Sequence, residues 1–383
     1  DQDGVLPSFN YKRYNAIINL NSQVNKRIRV GTIINMVKKN ITEPRFTNSD
    51  IVLLVYQGAP NYTPFLPDGS GRVARYAYAG EGHNRSPETD LHPGNYQHSN
   101  SHAINAQGYI DVNIIKGLVW QVKGGLNYNG DTYKSHQQVV PQYAFIKPAG
   151  ADDFPYLDDG GKSGGVTDRY SQNLLPSLYS TLTYDKTFGK YHTLKVLGGY
   201  EQQSFKTQFL QGSRLSFPTA TLAEINAGSP VGQSLSGTST EWALRSYFGR
   251  VNYDFMGKYL LEANIRYDGS SRIAEENRWG AFPSVSAGWR ISKENFIQNN
   301  VSWIDDLKLR ASLGTLGNQE IGLYPYQDIL NLTEYPYGST LQPSTIITRL
   351  TDKNIKWEST RVLNFGVDLD IYKGLFGVTF DWF

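Results

Sequence analysis

The stretch Tyr259-Leu-Leu-Glu-Ala-Asn-Ile-Arg-Tyr-Asp-Gly-Ser-Ser-Arg272 alternates apolar and polar side chains over most of its length. Odd positions from Tyr259 to Tyr267 carry aromatic or aliphatic side chains, whereas even positions from Glu262 to Asp268 carry charged or amide groups. Because successive side chains of a β-strand point to opposite faces, this spacing predicts a strand with one apolar and one strongly polar face.

The same alternation recurs along the chain and predicts an all-β protein of about twelve strands. It is clearest at Ser284–Ile291, Leu307–Leu313 and Arg361–Ile371, and Phe376–Trp382 is predicted to be a further strand. The longest uninterrupted aliphatic run is Ile51–Val55, far short of the roughly 18 residues that a membrane-spanning helix needs. A helical membrane protein is therefore excluded, but a transmembrane β-barrel is not, because its apolar residues alternate with polar ones.

Connections between the predicted strands form a short set and a long set that alternate along the chain. The short connections are expected at Val24–Lys26, Lys116–Gly117, Phe188–Tyr191, Met256–Lys258 and Lys373–Gly374. The long ones are expected at Asn40–Ala106, Ser135–Tyr170, Gly212–Thr240 and Gly317–Ser359, and Ser292–Asp306 is a mid-length exception. All long connections would then lie at one end of an antiparallel sheet, as in outer-membrane barrels with short periplasmic turns and long extracellular loops.

Composition favours the barrel hypothesis and excludes several other classes. Aromatic residues make up 13% of the 383 residues, and Tyr253, Phe255, Tyr259 and Tyr267 lie near predicted strand ends, as in the aromatic girdles of membrane barrels. The 37 basic and 35 acidic residues give a net charge of +2, which argues against an electrostatic nucleic-acid binder. The absence of cysteine excludes disulfide scaffolds, cysteine zinc sites and thiol nucleophiles.

Sequence motifs give no support to a catalytic residue, a cofactor site or a metal site. No nucleophile elbow, HExxH motif or paired Ser/His/Asp arrangement stands out. Gly161-Lys162-Ser163 lacks the upstream glycine of a phosphate-binding loop and is interpreted as a polar loop tip. Two further groups are interpreted as solvated side chains of predicted loops: His83, His92, His98 and His102 in one, and Asp152, Asp153, Asp158 and Asp159 in another. The alternatives are a metal site at the histidines and a loosely bound Ca²⁺ at the aspartates.

Four tyrosines in the last long connection are the candidate ligand contacts. Tyr324-Pro-Tyr326 and Tyr335-Pro-Tyr337 each place two aromatic rings around a proline, which stiffens the backbone between them. Flat aromatic faces are suitable platforms for sugars or peptides. An alternative interpretation is that these rings pack one long loop against another.

Segments from Trp242 onward carry a family resemblance. They are Ser246-Tyr-Phe-Gly-Arg-Val-Asn-Tyr253, the opening stretch Tyr259–Arg272, Asn277-Arg-Trp-Gly-Ala-Phe-Pro-Ser-Val-Ser-Ala-Gly-Trp-Arg-Ile-Ser292, Leu307-Lys-Leu-Arg-Ala-Ser-Leu-Gly-Thr-Leu-Gly-Asn-Gln319, and Trp357-Glu-Ser-Thr followed by Asn364-Phe-Gly-Val-Asp368. These segments resemble the barrel of the SusC/RagA family, the TonB-linked outer-membrane transporters of the Bacteroidetes. The resemblance is strong over Trp242–Phe383 and diffuse but compatible over Tyr11–Gln211.

The resemblance implies a transmembrane antiparallel barrel of about 22 strands that encloses a plug. Residues 1–383 would be a partial TonB-dependent receptor barrel, with the plug domain and the C-terminal strands absent. The implied activity is uptake of a glycan or a peptide through the outer membrane. The implied partners are a surface lipoprotein of the SusD type, the TonB–ExbB–ExbD system acting on the plug, and outer-membrane lipid.

Charged residues of the predicted strands are expected on the luminal side or against the plug. A basic side chain in mid-membrane costs about 2–4 kcal/mol, so these charges cannot face lipid cheaply. They are Glu262, Arg266, Asp268, Arg290, Lys308, Arg310, Asp368 and Asp370. The alternative is a soluble secreted glycan-binding β protein, and a surface enzyme with a β-sandwich or propeller fold is a further one.

Overall fold

The computed structural model describes residues 1–4, 9–46, 52, 53, 56, 63–75, 87–158, 164–219 and 221–383. The Gly161-Lys162-Ser163 tip and His83 lie outside the described residues. Among the described residues, no helix is both long enough and apolar enough to cross a membrane. The helices whose bounds are described are short, at Pro87–Asp90 and Asn295–Gln298, and residues 52, 53 and 56 are also helical. Single 3₁₀ turns occur at Ile225–Ala227, Glu275–Asn277 and Ile291–Lys293.

Eighteen strands dominate the described part of the chain. In chain order they are β1 Gln2–Asp3, β2 Asn10–Gln23, β3 Ile28–Pro44, β4 Val73–Arg75, β5 Tyr96–Ile115, β6 Leu118–Gln137, β7 Gln142–Ala144, β8 Tyr156–Asp158, β9 Gly165–Phe188, β10 His192–Leu215, β11 Ser229–Phe255, β12 Tyr259–Ser270, β13 Trp279–Arg290, β14 Ile304–Asn318, β15 Leu330–Tyr337, β16 Thr340–Ile347, β17 Glu358–Ile371 and β18 Phe376–Trp382. Thirteen of them form one sheet, in which each strand lies beside the previous sheet strand of the chain. All neighbours in this sheet are antiparallel, which confirms the all-β antiparallel prediction.

The sheet exposes its apolar face and covers its polar face. Along β12, the apolar side chains of Leu261 and Ile265 are 52% and 54% exposed, whereas the intervening Glu262 and Arg266 are less exposed. The same alternation holds over the whole length of β13. Side chains crowd together on the concave side of a curved sheet, so the polar residues line the inside of the curve. This arrangement is the reverse of that in a soluble β-sandwich, in which the apolar faces are buried.

The tight turns of the sheet lie where the sequence predicts them. Residues 24–27, Lys116–Gly117, 189–191, Met256–Lys258 and 372–375 join successive strands at one end of the sheet. The mid-length connection between β13 and β14 also lies at this end and contains the 3₁₀ turn Ile291–Lys293 and the helix Asn295–Gln298. The five tight turns thus share one end of the sheet, as predicted. Sorting by length is not strict, because the β12–β13 connection, residues 271–278, lies at the other end and is shorter than the β13–β14 connection, residues 291–303.

The long connections are shorter than predicted, because the strands continue into segments that look like loops. The prediction that Gly212–Thr240 is one loop is wrong: β10 pairs with β11 from His192↔Phe255 as far as Leu215↔Ser229. Asn40–Ala106 is likewise cut short at both ends, because β3 continues to Pro44 and β5 begins at Tyr96. Ladder hydrogen bonds use the backbone alone, so Ser- and Gly-rich segments form strands although these two residue types have a weak intrinsic preference for strands.

Two accessory sheets lie within the long connections. The hairpin β15–β16 belongs to the connection between β14 and β17. The other sheet joins two different connections, because β4 comes from the β3–β5 connection and pairs with β7 of the β6–β9 connection. Leu66, Val73, Ala74 and Val140 are buried in or beside it, so the described parts of these two connections form a compact cap with its own small core.

Candidate functional site

Charged side chains on the concave polar face pair with one another across neighbouring strands. Arg266 on β12 donates from Nη2 to Glu201 Oε2 at 2.9 Å and to Ser246 Oγ at 2.7 Å. Its Nε donates to Asp268 Oδ2 at 3.0 Å, and its guanidinium lies 5.6 Å from the centroid of the Phe248 ring. The guanidinium thus links β10, β11 and β12 on the polar face.

Arg310 makes a second pairing of this kind on β14. Its Nε and Nη2 donate to the two carboxylate oxygens of Asp368 on β17, at 2.8 and 2.9 Å. Its Nη1 lies 3.0 Å from Asp381 Oδ1 on β18. A bidentate arginine–carboxylate pair has fixed geometry as well as charge, so this group ties together three strands of the concave wall.

A concavity of 860 Å³ lies on this wall between β10 and β17. It is lined by polar and small side chains, by the charged Lys195, Glu262, Lys308 and Arg310, and by apolar side chains that include Leu260, Leu316 and Val362. Seven of the eight charges predicted to face inward are at least partly covered on the polar face: Glu262, Arg266, Asp268, Arg290, Lys308, Arg310 and Asp368. Asp370 shares the register of Asp368 but is exposed, since it lies one residue before the end of β17. The wall therefore presents polar groups to any solute or protein segment on the concave side.

The four candidate tyrosines divide into two pairs with different surroundings. Tyr324 has a positive φ of 47°, donates its hydroxyl to Glu241 O at 2.7 Å, and lies edge-to-face with Tyr326 at 6.2 Å. Its own carbonyl accepts a hydrogen bond from Arg349 Nη2 at 3.2 Å. Tyr324 thus anchors the β14–β17 connection to β11, which favours the packing interpretation for this residue.

Tyr335 and Tyr337 lie on the accessory hairpin and face solvent. Both belong to β15, two residues apart on one face, and they are 63% and 78% exposed. Their rings are accessible to a solute on the same side of the protein as the long connections. Ligand contact by Tyr324, Tyr326, Tyr335 and Tyr337 stays a prediction. The exposed rings of the hairpin, Tyr335 and Tyr337, are better placed for such a contact than Tyr324.

Two of the candidate loop histidines lie in a strand. The interpretation of His98 and His102 as loop residues is wrong, because both belong to β5 and pair with Thr42 and Lys38 of β3. His98 Nδ1 lies 3.0 Å from Thr42 Oγ1, and its ring centroid is 4.3 Å from that of Tyr96. Within the described part of the chain, no cluster of three or more His, Asp or Glu residues could hold a metal ion.

An ion cluster in the cap joins the two long connections. Arg72 donates to Asp68 Oδ2 at 2.7 Å and to both carboxylate oxygens of Asp153 at 2.8 and 2.7 Å. Its guanidinium also lies 4.7 Å from the centroid of the Tyr143 ring. Hydrogen bonds from Ser70 and Arg72 lower the pKa of Asp68 to about 2, and hydrogen bonds from Arg72 and the Phe154 amide lower that of Asp153 to about 2.

These carboxylates make cap stability depend on pH. Their pKa values are below those of the unfolded chain, so the cluster stabilises the cap above about pH 4 and loses this effect as the pH falls toward 2. We expect amide protection factors in β4 of the full-length protein to be at least threefold lower at pH 2.5 than at pH 5, by hydrogen exchange. In Arg72→Ala, protection at pH 5 should already be low and nearly independent of pH. An unchanged pH dependence in that variant would contradict the assignment.

Comparison with known proteins shows the family. Residues 41–383 match the family described as "TonB dependent receptor-like, beta-barrel". The chain belongs to this family. It is part of an outer-membrane β-barrel, and the family is one of receptors rather than a class of enzymes.

Curated relatives and solved structures agree with this membership. The chain is 27% identical to the TonB-dependent receptor SusC of Bacteroides thetaiotaomicron, over 98% of this chain and 37% of SusC. It is 26% identical to the TonB-dependent receptor P3 of Formosa agariphila, over 100% of this chain and 37% of that receptor. The solved structure of the RagAB peptide transporter aligns with a TM-score of 0.77 at 24% identity, over 97% of this chain and 40% of that chain. The chain thus spans somewhat over a third of the length of these relatives.

Membership in the barrel family gives the two faces of the sheet their meaning. The exposed apolar face is the lipid-facing side, and the concave polar face is the luminal side. Two rows of aromatic rings cross the lipid-facing side of β10–β13. One row contains Phe255, Tyr259 and Trp289, with centroids 6.2 and 6.5 Å apart, and the other contains Tyr200, Tyr247, Trp279 and Tyr267, with centroids 4.9 to 6.0 Å apart. These rows are the girdles that the sequence predicts.

Glu294 fixes the girdle of this barrel at the short-turn end, a role that the sequence does not indicate. Its carboxylate accepts hydrogen bonds from Lys258 Nζ at 2.9 Å, the Tyr259 hydroxyl at 2.8 Å and Trp289 Nε1 at 3.1 Å. The hydrogen bond from Lys258, followed by those from Tyr259 and Trp289, lowers the pKa of Glu294 to about 2. The helix Asn295–Gln298 begins immediately after Glu294, so this contact fixes where the β13–β14 connection leaves the sheet.

Proposed function

We propose that this barrel segment belongs to a transporter that imports a large nutrient, a glycan or a peptide, across the outer membrane. The observation that carries the proposal is the inverted sheet, with aromatic rows on an exposed apolar face and paired charges on a concave polar face. A wall of this kind separates lipid from a polar interior, as a solute pathway requires. The name of SusC and the description of RagAB as a peptide transporter support import.

The proposed partners follow from the relatives rather than from a contact in this chain. A SusD-like surface lipoprotein would cover the mouth of the barrel, as the paired name RagAB suggests for that transporter. The TonB–ExbB–ExbD system would supply energy through a plug enclosed by the complete barrel. The solute would pass between the plug and the polar luminal wall, in which Arg266 and Arg310 are held in fixed ion pairs.

We propose that the tight turns lie in the periplasm and the long connections outside the cell. Long irregular segments carry backbone groups that lipid cannot satisfy, so they must lie in water or inside the lumen. Cap, hairpin and candidate tyrosines would then all lie at the extracellular mouth, where a nutrient arrives first. Met256–Lys258 would lie at the opposite, periplasmic end.

Cysteine labelling tests this orientation, and the absence of native cysteine in residues 1–383 makes the assay clean. Ser339→Cys, at the tip of the β15–β16 hairpin, should react with an impermeant maleimide on intact cells. Lys190→Cys, at the β9–β10 turn, should react only after the outer membrane is permeabilised. Gly257 is a poor reporter position because its φ is 65°, and Ser163 and the Gly160–Gly165 loop lie mainly outside the described residues. Labelling of Lys190→Cys alone on intact cells would invert the orientation.

The import proposal itself is tested in the native host. A strain lacking the complete gene should lose uptake of one fluorescent glycan or peptide from a size-graded panel, and the wild-type gene should restore it. Uptake should stop when a protonophore dissipates the proton gradient. Normal uptake of every member of the panel by the deletion strain would overturn the proposal.

A further inference from the structure

The extracellular half of β11 has one open edge. From Leu244 to Phe255 this strand is paired on both sides, with β10 and with β12. From Ser229 to Ala243 it pairs with β10 only, because β12 ends at Ser270 and turns toward β13. Val231 to Ser239 are exposed, so none of the described residues covers this edge.

The register of β11 shows which backbone groups point to the open edge. Ala243 faces the β12 side, since its carbonyl accepts from the Ser271 amide at 2.9 Å and its amide donates to Ser271 Oγ at 2.9 Å. The carbonyl of Glu241, two residues earlier, faces the same side and accepts from the Tyr324 hydroxyl. The ladder with β10 is unbroken from Ser234 to Phe255, so Leu235, Gly237 and Ser239 also direct their amide and carbonyl groups to the open edge.

This edge lacks the devices that protect exposed strands. Proteins usually blunt a free edge with charged side chains, prolines or bulges, because its unpaired groups bind other strands. Pro230 lies at the far end of β11, and a register shift opposite Leu215 precedes Ser234. No charged residue occurs from Ser229 to Thr240. The stretch from Leu235 to Ser239 is therefore a neutral, regular template for an added strand.

An apolar recess lies on the outward face over β9, β10 and β11, on the paired side of the edge strand. It has a volume of 500 Å³ and is lined by Tyr170, Leu210 and Leu235, among others. Leu235 is 77% exposed. A strand added to β11 would place alternate side chains on this outward face, next to Leu235. Tyr324 closes the lower end of the edge, so the template adjoins the connection that carries the candidate tyrosines.

We propose that the β11 edge at Leu235–Ser239 binds an extended peptide as an additional strand, which makes peptides a cargo class of this transporter. This inference rests on the proposed import function. A glycan cannot match the regular spacing of amide and carbonyl groups along a strand, whereas any peptide can. Recognition through the backbone, by an edge without charge, tolerates different side-chain sequences. Such tolerance suits a cargo of variable sequence better than a single protein partner, which side-chain contacts would select.

The binding test uses the full-length transporter in detergent and a fluorescently labelled peptide of alternating Val and Thr, with a lysine at each end. We expect binding by fluorescence anisotropy. In an antiparallel arrangement, a valine opposite Leu235 directs its amide toward β11, so N-methylation of the valine amides should weaken binding at least tenfold. N-methylation of the threonine amides, which face away, should change it less than twofold. No binding, or equal effects of the two methylations, would overturn the proposal.

A matched pair of variants tests the same site from the protein side. Ser239→Pro removes one backbone amide that points to the open edge of β11. The variant should fold, because proline is accepted where the N–H of an edge strand faces solvent. It should weaken peptide binding about fivefold or more, whereas Ser239→Ala keeps the amide and should bind normally. The parent protein could instead bind no peptide but co-purify with a lipoprotein or form a dimer, and Ser239→Pro could abolish that association. This result would assign the edge to that partner and overturn the peptide proposal. Failed peptide binding with intact glycan uptake would leave import standing.

Discussion

Ile265→Arg is expected to block assembly of the full-length protein into the outer membrane, whereas Asn264→Arg is expected to be tolerated. Ile265 lies between the two aromatic rows on the lipid-facing side, two residues from Tyr267 and six from Tyr259, and is half exposed there. An arginine that faces lipid costs about 2–4 kcal/mol at the bilayer midplane and less toward the interfaces. Asn264 points to the lumen, where its side chain bonds with Arg250, Glu262 and Ser284, and an arginine there remains among polar groups.

Heat-modifiable migration on gels and protease resistance of the outer-membrane fraction measure this difference. We expect the folded fraction of Ile265→Arg to fall at least tenfold and that of Asn264→Arg to stay within twofold of the parent. The two residues are neighbours in sequence, so the pair controls for effects on strand propensity and expression. Equal loss in both variants would refute the register of β12.

Gly117→Ala is expected to be the most damaging substitution in the tight turns. Gly117 has a φ of 85°, and an added Cβ would lie 2.3 Å from the carbonyl oxygen of Asp185 on the neighbouring β9. This contact is with backbone, so the turn or the β6–β9 ladder must shift. The left-handed conformation alone costs a non-glycine residue about 1–2 kcal/mol, and we expect the total to exceed about 3 kcal/mol.

Gly189→Ala is the matched control for this prediction. Gly189 also has a positive φ, 60°, but nothing lies within 4 Å of its added Cβ. We expect the thermal midpoint of Gly117→Ala in detergent to fall by several degrees more than that of Gly189→Ala. Similar midpoints for the two variants would show that the close approach of Gly117 to Asp185 is absent in solution.

Alternation of side chains was sufficient to predict the sheet, because lipid and lumen impose opposite demands on neighbouring residues. Tyr259–Asp268 shows both demands in ten residues, and its register in the structure follows the predicted faces. The upper half of β11 could not be predicted in this way. Ser229–Thr240 lies beyond the girdles, where both faces meet water, so its side chains have no reason to alternate.

Contacts between distant loops could not be predicted from the sequence either. The pairing of β4 with β7, and of Arg72 with Asp153, joins residues from two separate connections, and no local pattern encodes such a meeting. The luminal position of Glu201, which pairs with Arg266, could have been predicted from the sequence. The alternation of side chains along β10 places Glu201 on the polar side. Of the candidate tyrosines, Tyr324 has a structural contact that neither spacing nor composition indicates.

The strict order of the sheet, in which each strand lies beside its predecessor, bears on how the barrel forms. Closing a loop costs conformational entropy that rises with the logarithm of its length, so a tenfold longer loop costs about 2 kcal/mol more to close. Hairpins such as β9–β10, joined by residues 189–191, should therefore form early and locally. The β3–β5 pair, separated by residues 45–95, should form late. Assembly would then proceed by lateral docking of preformed two-stranded ribbons, each presenting its aromatic residues to the membrane as it inserts.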